Sequence, residues 1–223
     1  ARHGPGGAGV THLALRTRSS HSDKPFTATG LGDRIHGATL AWAYGQGEPV
    51  TLHLTREHLT GGQFDNKPES WAEIVALFPA GMLMLSREPC EVTYRYGDYP
   101  GPREPAGFDI APYLERIPLL ADGPKESYVT AQWDANGPSR RVRPPDIPNA
   151  VIVGGEATGD MRWSLKAIGE AMSRAEGHVG VDSAFFHLAQ LYMPRERITV
   201  YHGKKVSHHV LRARDHGAVC VRL

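Results

Sequence analysis

The chain has 223 residues, enough to bury a real core as one large domain or two compact lobes. Its 25 Lys and Arg nearly balance 24 Asp and Glu, so no global field points to nucleic acid or a membrane surface, and 22% charged with 40% hydrophobic residues describes a globular chain. Only two cysteines occur, Cys90 and Cys220, which excludes a disulfide framework or a zinc ribbon and suits a reducing cytoplasm. Residues 1–9 are Gly-rich and carry no structural pattern. Val10–Thr17 alternates as a strand, and Leu31–Tyr44 places Leu31, Ile35, Ala38 and Trp42 at helical spacing, with Gly45 and Gly47 as the stop. Pro49–Thr55 predicts a second strand, Ser70–Phe78 a second helix and Met82–Leu85 a short strand. Pro and Gly then thicken over Tyr99–Gly107, a linker signature. Beyond it the pattern restarts with strands at Ser127–Gln132 and Ala150–Val153 and a helix at Ser164–Ala175. A strand at His178–Val181, a helix at Ser183–Tyr192 and a strand at Ile198–Tyr201 follow. Such alternation on both sides of a hinge predicts an α/β fold of two Rossmann-like parallel-sheet lobes with a cleft between them, divided as 1–110 and 111–223. No apolar run approaches the ~20 residues that span a bilayer, and no signal sequence opens the chain, so a cytoplasmic protein is expected.

Ligands of open α/β sheets sit at the carboxyl ends of strands, which directs attention to three loops. In Thr29–His36, Gly30 and Gly32 let a backbone approach closely, and Asp33 follows at a helix start. Asp33 also has an ordinary reading as a first-turn acid favoured by the helix dipole. The third glycine of a dinucleotide fingerprint is missing, which argues against NAD. In Gln132–Arg141, the cations Arg140 and Arg141 suit a leaving phosphate, although taken alone a solvated basic loop is the commoner reading of such arginines. The third segment, Gly177–Ala189, runs a buried strand into a helix opening at Asp182-Ser183. The free N–H groups of such a start can hold a phosphate, and Ser183 adds a hydroxyl. His187, five residues on, reads either as part of that site or as a satisfied core histidine.

These segments, in this order, resemble the heptosyltransferase-like glycosyltransferases of the GT-B fold. The likeness is carried by GLGDRIHGATL (Gly30–Leu40), by AVIVGGEATG (Ala150–Gly159) and above all by HVGVDSAFFHLAQLYMPRERITVYHG (His178–Gly203). It implies a shortened ADP-heptose:LPS heptosyltransferase-type enzyme, with the acceptor on the first lobe and a nucleotide-sugar donor on the second. By that likeness Asp33 is the general base for an acceptor hydroxyl. The donor side is expected to draw on Gly30, Gly32, Arg140, Arg141, Gly155, Glu156, Asp182, Ser183, His187, Lys204 and Lys205. The chain departs from the family in a polar insertion at Arg18–Thr29 and in the loop His202–His209.

The implied chemistry is a direct displacement that inverts the anomeric carbon, with helix N-termini and cations in place of a metal. No cofactor is expected, the nucleotide sugar being a co-substrate. His202, His208 and His209 offer imidazoles without a carboxylate or cysteine at ligand spacing, so no metal site is assigned. The acceptor is expected to be a saccharide. A hydroxylated base in DNA is an alternative, held by Arg140–Arg143 and the 18–24 stretch. A nucleotide-sugar epimerase or hydrolase and a non-catalytic nucleotide-binding module are the other readings.

Overall fold

The computed structural model describes residues 11–15, 31–44, 48–53, 70–88, 93–94, 126–133, 142, 145–153, 164–204 and 206–223, some of them, Asp33 included, by backbone alone. The first lobe runs β1 (Thr11–Leu15), α1 (Leu31–Tyr44), β2 (Val50–His53), α2 (Ser70–Val75), β3 (Leu83–Ser86) and β4 (Thr93–Tyr94). Its four strands are parallel in the order β3-β2-β1-β4. Because α1 and α2 both carry the chain the same way across the sheet, right-handed crossovers put them on one face. There Ile35, Ala38 and Ala41 of α1 close over Val50 and Leu52, joined by Trp71 and Ile74 of α2. Gly81, at φ +79°, makes the turn that lets Met82 N–H reach Pro79 O before β3.

The second lobe runs β5 (Glu126–Gln132), β6 (Ala150–Ile152), α3 (Leu165–Arg174), β7 (Ala175–Val181), α4 (Ala184–Tyr192), β8 (Ile198–His202), α5 (His208–Asp215) and β9 (Val219–Arg222). All five strands are parallel, in the order β6-β5-β7-β8-β9. Ser164 starts α3 by accepting the Ala167 N–H at 3.1 Å, and Leu165, Ile168 and Met172 form its buried stripe. The sequence reading carried this helix through Ala175 and began the next strand at His178. In the structure Ala175 is already extended, and helix passes into strand with no loop. Ala175 is fully buried either way, so burial periodicity could not tell the last helical residue from the first strand residue. The strand β4, the helix α5 and the strand β9 were not anticipated. The parallel α/β architecture was.

The two lobes meet through their helices. Helix α1 lies on α4 and α2 on α3, and one continuous core runs from Val50 in the first sheet to Val200 in the second. The layers are therefore sheet, helices, helices, sheet. Across the joint, the Leu165 N–H at the start of α3 donates to Glu73 Oε2 of α2 at 2.9 Å, so one lobe caps a helix of the other. The expected division at residue 110 lies outside the described residues. Among the described residues, no helix is long and apolar enough to cross a membrane.

Candidate functional site

In the second sheet the chain leaves β5 toward β6 on one side and leaves β7 toward β8 on the other. The carboxyl ends of β5 and β7 are thus a topological switch point, where connections part and open α/β sheets as a class take their ligands. Gln132 ends β5 there with Trp133 just beyond it, and Asp182 and Ser183 follow β7. Ser183 is the N-cap of α4. Its Oγ accepts the Phe185 N–H at 3.3 Å and donates to Gln132 Oε1 at 2.7 Å. Gln132 is 1% exposed and Asp182 7%, so the helix start is tied to the end of β5 inside the fold. The sequence predicts Ser183 as a hydroxyl donor for phosphate; in the structure its proton goes to Gln132. The other first-turn N–H groups and the positive end of the α4 dipole face the same place.

The first lobe brings its own helix start to this point. Gly32 is the second residue of α1, and an ideal Cβ there would stand 3.1 Å from Ala184 Cα and 3.2 Å from His187 Cδ2. The first turns of α1 and α4 touch because position 32 has no side chain. Its glycine therefore serves a helix-to-helix approach, where the sequence reading had it admit a ligand. His187 is buried in the joint, with its ring centroid 5.3 Å from that of Phe186. Asp33 adjoins Gly32 on the α1 backbone, so the residues read as general base and as donor site share one locality.

Sequence reasoning missed Arg34. Its side chain is 1% exposed, and its guanidinium lies 5.5 Å from the centroid of the Trp71 ring. Burial lowers its pKa from the ordinary 12.5. The signal was present in the sequence, since Arg34 stands three residues after Leu31 on the apolar face of α1. In the sequence, Gln132 and Trp133 stand out only as the start of the basic loop.

Lys204 is exposed just past β8, on the same sheet edge as Ser183. Gly30, Arg140, Arg141, Gly155, Glu156 and Lys205 lie outside the described residues. The His202 Nδ1 is 2.9 Å from Gly203 O, while His208 and His209 enter α5 with only their backbones described. Among the described residues, no group of three or more His, Cys, Asp or Glu could hold a metal. Below the switch point His178 is buried in the sheet, with its Nδ1 3.1 Å from Thr130 Oγ1, and burial pushes its pKa down to about 3.

No family model matches the chain, and no curated protein matches it. Among solved structures the chain is similar to the E. coli heptosyltransferase WaaC with ADP-2-deoxy-2-fluoro heptose, at 9% identity and a TM-score of 0.41 over 96% of this chain and 93% of that one. It is also similar to the dodecameric iron-containing heptosyltransferase TibC in complex with ADP-D-beta-D-heptose, at 10% identity and a TM-score of 0.46 over 96% of this chain and 62% of that one.

Proposed function

We propose that the protein is a glycosyltransferase that moves a sugar from a nucleotide-sugar donor to an acceptor hydroxyl, with inversion and without a metal. One observation carries this reading. The helix that follows β1 and the helix that follows β7 touch at their first turns, Gly32 against Ala184. Two positive dipole ends converge there beside Asp33 on one helix and Asp182-Ser183 on the other, which suits an anion facing a carboxylate base. The likeness of Gly30–Leu40 and His178–Gly203 to the heptosyltransferase-like enzymes supports the same assignment.

In the proposed reaction the Asp33 carboxylate takes the acceptor hydroxyl proton as that oxygen bonds to the anomeric carbon. The bond to the nucleoside diphosphate breaks on the opposite face, and its electron pair leaves with the phosphate. The first-turn N–H groups of α4 would hold that charge, with Lys204 and the loop arginines Arg140 and Arg141 adding cations. Helix ends and side chains then do what a metal would otherwise do.

The test is a thermal-shift panel of nucleoside diphosphates and their sugars in EDTA, followed by transfer assays with Asp33→Asn. A donor at a hundred times its Kd stabilises the native state by about 2.7 kcal/mol. Asp33→Asn should keep that shift and lose on the order of a hundredfold in turnover. Near-normal transfer by the variant would remove Asp33 from the base role. Loss of all donor binding in EDTA would overturn the metal-free mechanism.

A further inference from the structure

Two aromatic rings sit at the switch point on the side of the sheet away from the helices. Gln132, in register with Gly180 and Val200, reaches Ser183 on the helix side, whereas the ring of Trp133, the next residue, packs on Tyr201 of the opposite face. Tyr201 faces the same way, since its neighbour Val200 is buried in the core against the helices. The two rings meet nearly edge-on, with centroids 6.2 Å apart and planes at 70°. They stand just past the end of β5 and on β8 with β7 between, strands that lie about 9.5 Å apart at ordinary sheet spacing. The rings therefore lean together across β7, and Val181 beneath them is fully buried.

We propose that Trp133, supported by Tyr201, is the stacking platform for the base of a nucleoside diphosphate. The inference rests on reading the start of α4 as the diphosphate site. A ligand whose phosphates lie at that start and whose body crosses the carboxyl edge of the sheet meets Trp133 one residue beyond Gln132. Both rings are half-buried, which leaves aromatic surface accessible at the sheet edge. In an edge-on pair, the ring that presents its edge keeps its faces clear of its partner, and a planar base can take such a face. Stacking of this kind tolerates any base, so Trp133 contributes affinity for nucleotides as a class. Covering Val181 alone needs apolar bulk without a π face, and that difference separates the two roles.

The experiment titrates ADP, UDP and inorganic pyrophosphate into the wild type, Trp133→Leu and Trp133→Phe. Leucine keeps apolar cover over Val181 and removes the ring. Trp133→Leu should bind both nucleotides about tenfold or more weakly, with pyrophosphate affinity unchanged. Trp133→Phe should retain most of the nucleotide affinity. Wild-type nucleotide affinity in Trp133→Leu would overturn the platform and leave the diphosphate site standing. A parallel loss of pyrophosphate would also overturn it, because Trp133 would then act through the fold. If the wild type binds neither nucleotide nor pyrophosphate, the diphosphate site fails and the platform with it.

Discussion

Replacing Gly32 with alanine tests the contact on which the site depends. The new Cβ would stand 3.1 Å from Ala184 Cα, 3.4 Å from Ala184 N and 3.2 Å from His187 Cδ2. Carbon atoms pack at about 3.5–4.0 Å, so the first contact falls short by roughly 0.4 Å or more. Ala184 Cα belongs to the main chain and cannot rotate away, so the two helix starts must part or His187 must yield. Overpacking of this kind costs about 1–3 kcal/mol. Against it stands the gain of alanine over glycine in a helix, at most about 1 kcal/mol and less in a first turn. With a first-turn gain of about 0.5 kcal/mol, the net loss is about 0.5–2.5 kcal/mol, or a fall in Tm of roughly 1–10 °C for a chain of this size. Calorimetric unfolding of Gly32→Ala measures it. In a His187→Ala background the Gly32→Ala change should cost less than in the wild type, because removing the ring frees one side of the new methyl. A Gly32→Ala protein as stable as the wild type would show that α1 and α4 do not touch as described. The site would then lose the convergence of its helix starts.

Two further outcomes follow from buried and capping groups. His178 stays neutral in the fold, with a pKa lowered to about 3 by burial, while an unfolded histidine protonates near pH 6.5. The unfolded chain therefore binds the extra proton between those values. The stabilisation is fully present above about pH 6.5 and is lost as pH falls toward about 3. At pH 5 the loss relative to pH 8 should be about 2 kcal/mol greater in the wild type than in His178→Leu, and parallel pH profiles in urea unfolding would refute this assignment. Glu73→Ala removes the acceptor of the Leu165 N–H across the lobes and should cost about 0.5–1 kcal/mol, with Glu73→Gln losing less; equal urea midpoints for wild type and Glu73→Ala would mean that the bond does not tie the lobes.

Which parts of the fold were legible depended on how much apolar surface each element buries. Helix α3 advertises itself through Leu165, Ile168 and Met172 behind a Ser164 cap, and α4 through Ser183 followed by an almost wholly buried run. Helix α5 begins His208-His209-Val210 and buries Val210 and Ala213, too sparse a stripe to stand out from a polar loop. Strand β9 is an edge strand with Val219 and Arg222 exposed, and β4 is two residues long, so neither presents a period to read. Parallel pairing was inferable because strand and helix alternate, and that inference does not depend on exact boundaries.

The site divides differently, because chemistry is local in sequence and partners are not. Asp182-Ser183 could be found as a helix start from residue types alone, since an N-cap serine before an apolar helix is a short-range rule. That Ser183 gives its proton to Gln132, 51 positions earlier, needs the order of the strands, which places β5 beside β7. Gly32 shows the same limit more sharply. A glycine says only that something comes close to the backbone, and a sequence cannot say whether that is a ligand or a helix. Here it is Ala184 of the other lobe. The contact brings the start of the helix that carries Asp33 against the start of the helix capped by Ser183. Residue types suggest half-sites on two lobes; what the missing Cβ at position 32 lets meet is the two helix starts.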